Sequence, residues 1–372
     1  MTEKYSPRRG RPGPAAFAVL LAVGGFGGAS ASAAAEKEPA TREEAIARGI
    51  ARIDAELKEY GKGSWEGWAE SLKPFRESLK ANRPPSKGFR FSNQGREMLL
   101  PERLQDIPEC AKAFDVIVHT TAQFKKIGID VLVVFIPNKI AVYPDYAADN
   151  APEHRMVMPP EKRFIRELLE KDVEVVDLYT VFRDARRAKG DGAPLYYGQD
   201  IHWRNVAARL AAEEIARHLK RYPFVQEALA QPGKFEARPG DRGGRNPDKV
   251  EFVYNAGTDK PYLDVFDSPV MLTGDSYSQY NWRCNDGVNP QGHFAAQVAV
   301  RINLPLTCVA TEGLWGTMPE AVSGMDAGTH ARFSGHPGVL KPCKVIVWTF
   351  IARAMCSPRQ WEKFDLPQAA GK

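Results

Sequence analysis

The chain has 372 residues, of which 43% are hydrophobic and 26% are charged, and its formal net charge is +5. This length accommodates one large domain or two ordinary ones, each with a sizeable core. The weak net charge excludes the strongly basic surface of a typical nucleic-acid-binding protein, so no nucleic-acid partner is expected.

The first 33 residues are typical of a secretory signal peptide. A basic start precedes an apolar stretch at residues 15–28, and a run of small residues then offers cleavage after Ala33 or Ala35. The apolar stretch is too short to span a bilayer, and its four glycines disfavour an uncleaved helical anchor. Arg8 and Arg9 also fit a twin-arginine signal, but adjacent arginines are common in basic leaders, so general secretion is preferred. Removal of residues 1–33 leaves a net charge of about +2.

Residues 34–87 are predicted to form an N-terminal helical extension of two helices. Thr41 and Glu44 have the spacing of a capping box. Apolar residues then recur at helical intervals, and Pro84 and Pro85 end the segment. These apolar residues are Ile46, Ile50, Ile53 and Leu57.

Residues 88–372 are predicted to form one α/β domain. Helical patterns alternate with short apolar runs, which predicts right-handed crossovers and a mostly parallel sheet with helices on both faces. A stretch rich in glycine, proline and charge, residues 231–249, is predicted to be a surface loop. The predicted helices are 109–126, 161–171, a short helix after residue 178, 205–220 and 292–302; the predicted strands are 129–136, 173–178, 268–274 and 343–351.

The cysteine count is odd, so at least one thiol is free or pairs between chains. Export permits disulfides, and we expect one or two in the C-terminal third together with a buried thiol. Neither the cysteines nor three loop histidines have the spacing of a zinc site, so no metal is expected. The residues concerned are Cys110, Cys284, Cys308, Cys343, Cys356, His293, His330 and His336.

Two stretches carry candidate chemistry. In LYYGQDIHW, residues 195–203, Asp200 and His202 are two positions apart, and an extended segment would place them on one face. In VMLTGDSYSQYNW, residues 270–282, an apolar strand stops at Gly274 and delivers Ser276 onto a turn. Ligands gather at the carboxyl ends of parallel strands, so both stretches are expected to meet there.

Their combination predicts nucleophilic catalysis. A serine hydroxyl needs a base to remove its proton, and histidine serves well when a carboxylate fixes its tautomer. Ser276 would be the nucleophile, His202 the base and Asp200 its orienting partner, while the backbone amide of Ser276 could donate to an oxyanion. Asp275 is expected to accept backbone hydrogen bonds in the turn. Each fragment alone is a weak signal, because a turn residue or a solvated polar loop explains it equally well.

These motifs resemble the SGNH hydrolase superfamily, whose serine lies in a Gly-Asp-Ser block and whose Asp and His share another. Here DIH precedes GDS, which is similar to the circularly permuted AlgX and AlgJ group of periplasmic polysaccharide O-acetyltransferases. The likeness extends from about residue 88 to 355 and includes VVFIPNKIAVYPDY at 133–146 and VIVWTFIAR at 345–353. Two departures are Thr349, where an acidic residue is expected, and the lack of a second carbohydrate-binding module before Lys372.

The resemblance implies site residues and partners. It suggests Asn138 for the oxyanion, although Asn138 could equally cap its turn beside Pro137. Lys139 either neutralises a polymer carboxylate or is merely solvated. Tyr143 and Trp203 either stack against sugars or pack around the loop. The implied partners are a polysaccharide acceptor and a membrane-bound acyltransferase that donates acetyl groups, and no cofactor is implied.

Three functions follow from these features. The first is acetyl transfer through an acyl-serine to hydroxyls of an exported, alginate-like polysaccharide, in the periplasm. The second is an esterase in which water replaces the sugar. The third is a non-catalytic carbohydrate-binding or assembly subunit, against which the complete set of Ser276, His202 and Asp200 argues.

Overall fold

A computed structural model describes residues 38–81, 91, 103–148, 150–152, 155–190, 194–242, 247–279, 292–310, 340–356, 361 and 363. The predicted signal peptide, Cys284, His330 and His336 lie outside the described residues. Within them, no helix is both long and apolar enough to cross a membrane.

The helices are α1 Arg42–Gly61, α2 Trp65–Ser71, α3 Lys73–Lys80, α4 Pro108–Lys126, α5 Lys139–Val142, α6 Pro159–Glu170, α7 Leu178–Lys189, α8 Asn205–Leu219, α9 Pro223–Leu229, α10 Ser276–Gln279 and α11 Phe294–Ile302. The strands are β1 Asp130–Ile136, β2 Glu174–Asp177, β3 Phe235–Arg242, β4 Asp248–Asn255, β5 Val270–Gly274, β6 Thr307–Ala310 and β7 Val345–Ile351.

The described strands of the main sheet are all parallel and lie in the order β2-β1-β7-β5-β6. The three central strands, β1, β7 and β5, are buried almost throughout. They read as continuous apolar runs because helices cover both faces of the sheet. The predicted α/β fold with a mostly parallel sheet is therefore confirmed.

The N-terminal helix α1 begins as its sequence predicts. The Thr41 side chain accepts a hydrogen bond from the Glu44 backbone amide at 3.1 Å. The predicted second helix is wrong as a single element, because it is divided at Leu72 into α2 and α3. Pro74 lies in the first turn of α3 and has no amide hydrogen with which to continue the ladder of α2.

Buried charges fix α1 to the rest of the domain. The Lys162 side chain is fully buried in α6, and its ammonium lies 2.7 Å from Glu56 of α1 and also contacts Asp177. Arg183 of α7 contacts the same Glu56 at 3.0 Å. Buried charges are tolerated when they are paired in this way, so α1 is a fixed part of the fold.

The predicted surface loop at residues 231–249 is wrong, because most of it belongs to an antiparallel pair formed by β3 and β4. The start of β4 shows the alternation of a strand, because Asp248 and Val250 are buried while Lys249 between them is exposed. Gly240 allows the pair to pack closely, as a side chain there would lie 2.7 Å from the Phe252 ring.

The disulfide prediction also needs correction. Cys110 of α4 pairs with Cys356, which lies in the 3-10 helix Ala352–Cys356 after β7. The bond therefore joins the first helix of the α/β unit to the C-terminal third, across 246 residues, instead of lying within that third. Cys308 and Cys343 are buried thiols, and burial raises the pKa of Cys343 to about 12.

Candidate active site

The end of β5 places Ser276 at the carboxyl edge of the sheet. The strand stops at Gly274, and Ser276 is the first residue of α10. Asp275 holds the turn, because its carboxylate accepts hydrogen bonds from the backbone amides of Tyr277 at 3.0 Å and Ile351 at 2.9 Å. Burial raises the pKa of Asp275, and these two amides oppose the rise. The serine turn is thus bonded to the end of the neighbouring strand β7.

The stretch that contains Asp200 and His202 is a closed loop between α7 and α8. The Tyr197 amide donates to the His202 carbonyl at 3.2 Å, and the Arg204 amide donates to the Leu195 carbonyl at 2.7 Å. At the tip, one oxygen of Asp200 accepts from the His202 amide at 2.9 Å. Asp200 therefore faces His202 because of an Asx-type turn, not because the segment is extended as the sequence suggested.

The structure brings Asp200, His202 and Ser276 together. His202 Nδ1 lies 2.6 Å from Asp200 Oδ1, and His202 Nε2 lies 2.9 Å from Ser276 Oγ. A carboxylate accepts only, so Nδ1 carries the hydrogen in the neutral imidazole and Nε2 is free to accept from the serine hydroxyl. The side chains of His202 and Asp200 are 17% and 27% exposed, so solvent-borne molecules can reach them. This arrangement can remove a proton from a serine that attacks a carbonyl carbon.

Tyr277 fastens the two stretches to each other. Its hydroxyl donates to the Ile201 carbonyl at 2.7 Å, while the Trp203 indole donates to the Tyr277 carbonyl at 3.1 Å. The Tyr277 ring also lies 4.8 Å from the His202 ring, centroid to centroid. These contacts hold the imidazole beside the serine turn.

Comparison with known proteins finds a family model that matches part of this chain. The family model described as "SGNH hydrolase-like domain, acetyltransferase AlgX" matches residues 95–262, which include Asp200 and His202 and stop before Ser276. Residues 95–262 are therefore similar to an AlgX-type SGNH hydrolase-like domain, called the AlgX-type domain. A search of curated proteins found no match.

One solved structure supports the fold of the AlgX-type domain, and two others are similar at lower scores. The O-acetyltransferase domain of Pseudomonas putida AlgJ superposes with a TM-score of 0.52 at 18% identity, over 76% of this chain and 95% of that domain. Pseudomonas aeruginosa AlgX gives a TM-score of 0.47 at 16% identity, over 67% of this chain and 63% of AlgX. Bacillus cereus PatB1 with a sulfonyl adduct gives 0.41 at 9% identity, over 69% of this chain and 91% of PatB1. The last two scores are too low to support an argument.

Tyr143 and Trp203 are not sugar platforms in the AlgX-type domain. Tyr143 is 1% exposed and its hydroxyl accepts from the Leu195 amide at 2.7 Å; Trp203 is fully buried and packs against Phe294 at 5.1 Å. The stacking interpretation is wrong for both, because a sugar cannot reach a ring that the protein itself covers. Their aromatic surfaces pack beneath the loop instead.

Lys139 is neither solvated nor available to a polymer carboxylate. It is 5% exposed, and its ammonium donates to the backbone carbonyls of Tyr197 at 2.5 Å, Gly198 at 2.8 Å and Asp200 at 3.1 Å. Burial lowers the pKa of Lys139 to about 7, and the Asp200 charge opposes that shift. Both expectations for Lys139 are therefore wrong.

Asn138 lies at the start of α5 and is 2% exposed. Its side chain donates from Nδ2 to Glu161 Oε1 at 3.0 Å and makes no capping hydrogen bond. The side-chain capping alternative is thus wrong, and the oxyanion role stays a prediction.

Asp248 supports the loop and was not found from the sequence. Its carboxylate accepts from the Tyr197 hydroxyl at 3.0 Å, from Arg204 Nε at 2.9 Å and from the Asn205 amide at 2.8 Å. These bonds connect the first residue of β4 to both ends of the Asp200–His202 loop. Asp248 follows a glycine- and charge-rich stretch, so nothing in its neighbourhood marked it as part of the site.

Proposed function

We propose that this protein is an O-acetyltransferase that moves acetyl groups through an acyl-serine to hydroxyls of an exported, alginate-like polysaccharide. The observation that carries the proposal is the hydrogen-bonded series from Asp200 through His202 to Ser276. The AlgX-type domain and the fold shared with an O-acetyltransferase domain support it.

In the first half-reaction, Ser276 Oγ attacks the carbonyl carbon of an acetyl ester while its proton moves to His202 Nε2. The tetrahedral oxyanion then collapses and expels the donor's alkoxide, which takes that proton from the imidazolium. Asp200 stabilises the imidazolium through Nδ1. We expect the backbone amide of Ser276 to donate to the oxyanion, with Asn138 as the candidate second donor.

In the second half-reaction, a sugar hydroxyl replaces the donor alcohol. His202 removes its proton as the sugar oxygen attacks the acetyl-serine, and returns the proton to Ser276 Oγ as the serine leaves. The product is an O-acetyl sugar and the free enzyme. Asp200, His202 and Ser276 thus complete the cycle without a cofactor.

The signal-peptide pattern in residues 1–33 supports export to the periplasm, where acetyl-CoA is not present. We infer that a membrane-bound acyltransferase delivers the acetyl groups. An esterase uses the same side chains with water as acceptor, so the acceptor test below separates these two functions.

The test is incubation of the mature protein with a chromogenic acetyl ester, with and without oligosaccharides of uronic acids. We expect wild type to gain the mass of one acetyl group and to label the oligosaccharide. Ser276→Ala and His202→Ala should each lose activity by about 10³-fold or more while remaining folded by circular dichroism. His119→Ala, on α4, is the control and should retain wild-type turnover.

The outcomes separate the candidate functions. Acetate release without labelled sugar would establish an esterase. Binding of the oligosaccharide without any acetyl-protein would establish a carbohydrate-binding subunit. Full turnover by Ser276→Ala or His202→Ala would remove that residue from the mechanism.

A further inference from the structure

Lys139 binds the backbone of the loop that carries Asp200 and His202. It is the first residue of α5, three residues after the end of β1, so a rigid central strand fixes its position. Its ammonium donates hydrogen bonds to the carbonyls at positions 197, 198 and 200, which are 58 to 61 residues away in sequence. The contact therefore connects the sheet to the tip of the loop.

Three backbone carbonyls surround the Lys139 ammonium. An ammonium group has three donors and no acceptor, and each of these carbonyls accepts a hydrogen bond from it. A neutral amine would have two hydrogens, and its lone pair would face a carbonyl oxygen. Burial of an ammonium costs several kcal/mol unless its hydrogen bonds are satisfied. The three carbonyls provide that compensation and stabilise the charged form.

One of the three carbonyls belongs to Asp200 itself, whose carboxylate receives the His202 Nδ1 hydrogen at 2.6 Å. Fixing the Asp200 backbone therefore fixes the carboxylate that orients the imidazole. Misplacement of reacting groups by about 1 Å can cost about 10²-fold in rate. Residues 198–202 at the loop tip belong to no helix or strand, so a tether at this point holds the backbone from which Asp200 orients the imidazole.

On the basis of the acetyl transfer proposed above, we propose that Lys139 is a positioning residue that holds the loop of residues 197–202 so that His202 meets Ser276. Lys139 acts through Asp200 and does not contact the substrate. Its burial excludes a role in binding a carboxylate of the acceptor.

The test compares Lys139→Met with Lys162→Met. Methionine keeps the apolar length of either side chain and removes the ammonium. Lys162 is a matched control, because it is a fully buried lysine paired with Glu56 and Asp177. Two rates are measured per folded molecule: turnover of the chromogenic acetyl ester, and covalent labelling of Ser276 by a sulfonyl fluoride, followed by intact mass as fluoride leaves.

We expect Lys139→Met to lower kcat and the labelling rate by about 10- to 100-fold, with KM within about 2-fold of wild type. Lys162→Met should unfold at a lower temperature yet keep both rates within about 2-fold. In a His202→Ala background, Lys139→Met should slow the residual labelling by less than about 2-fold, because a residue that acts through the imidazole has nothing left to position.

Three results would overturn the proposal. Wild-type rates in Lys139→Met would show that the tether is dispensable. If Lys139→Met lowered the labelling rate by the same factor in the wild-type and His202→Ala backgrounds, Lys139 would not act through the imidazole. Global unfolding of Lys139→Met under conditions in which Lys162→Met stays folded would assign Lys139 to overall stability. A wild type that is neither labelled nor active would remove the acetyl-transfer proposal as well, so the two failures are distinguishable.

Discussion

Gly274 is required by the space around the serine turn. A Cβ atom there would lie 2.1 Å from Thr349 Oγ1, 2.4 Å from the Thr349 carbonyl and 2.5 Å from Ser278 Oγ. Thr349 and Ser278 are themselves buried and hydrogen-bonded to each other at 2.5 Å. Thr349, which replaces the acidic residue expected at this position, therefore packs against the serine turn from the adjacent strand β7.

We predict that Gly274→Ala destabilises the protein by about 1–3 kcal/mol, because the methyl group must displace backbone as well as side-chain atoms. Urea unfolding measures the change. Gly233→Ala is the control, since a Cβ there meets one atom, the Phe235 carbonyl oxygen at 3.8 Å, and its midpoint should stay close to that of wild type. Equal midpoints for both variants would show that the serine turn adapts to the methyl group.

At the residue scale, a role that depends on contacts between side chains is easier to predict from the sequence than a role that depends on contacts with backbone atoms. Asp200, His202 and Ser276 could be selected because their types and their places near strand ends suggest one reaction. Lys139 could not be interpreted correctly, since its partners are carbonyls of a distant loop, which every residue possesses. The sequence leaves two roles open for Tyr143 and Trp203, because aromatic residues around a polar loop suit both stacking and packing, and only burial separates the two.

At the element scale, a buried charge cluster joins β2 to α8. His218 of α8 lies 2.8 Å from Glu174 of β2 and 3.7 Å from Glu214. Burial would raise the pKa of Glu214, but hydrogen bonds from His218 and Arg217 outweigh it and lower the pKa to about 2. Burial likewise would lower the pKa of His218, and the two carboxylates raise it instead. The cluster is therefore most stabilising when both carboxylates and the imidazole are charged.

This cluster predicts part of the acid sensitivity of the fold. The folded pKa of Glu214 is below its ordinary value of 4.5, so its contribution is present above pH 4.5 and is lost as the pH falls towards 2. Glu214→Gln should remove about 2–3 kcal/mol of this pH dependence from the free energy of unfolding. Glu213→Gln, at a 53% exposed neighbour, is the control and should follow the wild-type curve. The prediction would be contradicted if the free energy of unfolding fell equally steeply for wild type and Glu214→Gln as the pH is lowered from 4.5 towards 2.

Elements with a clear hydrophobic pattern could be predicted from the sequence, whereas the β3–β4 pair could not. The apolar run of β1 and the helical spacing in α1 and α8 leave little choice of structure. In β3, Pro239, Gly240 and four charged residues within Phe235–Arg242 resemble a loop. Their strand conformation comes from pairing with β4, whose partners lie across a turn, and this tertiary effect overrides local preference.

At the scale of the whole molecule, the Cys110–Cys356 bond closes most of the α/β domain into one loop. Constraint of the unfolded chain predicts a contribution of about 2–5 kcal/mol. Cys110→Ala, Cys356→Ala and the double variant should each lose this amount, because either single change already breaks the bond. Non-reducing urea unfolding measures the losses, and reductant should affect wild type alone. A double variant whose loss relative to wild type equals the sum of the two single losses would show that the sulfurs contribute separately.

The pairing of the cysteines could not be derived from their spacing. Proximity depends on α4 packing beside the segment that follows β7, and five cysteines allow several arrangements. What the sequence did indicate is that export permits such bonds.

The position of β7 in the sheet has a consequence for biogenesis. This strand lies between β1 and β5, yet it is made after both of them. A nascent chain that has emerged only as far as residue 340 therefore presents two unpaired, strongly apolar strand edges to its surroundings. Such edges invite association with other chains. The time between synthesis of β5 and arrival of β7 is thus the interval in which this protein most needs a chaperone, and the serine turn gains its amide partner at Ile351 only when that interval ends.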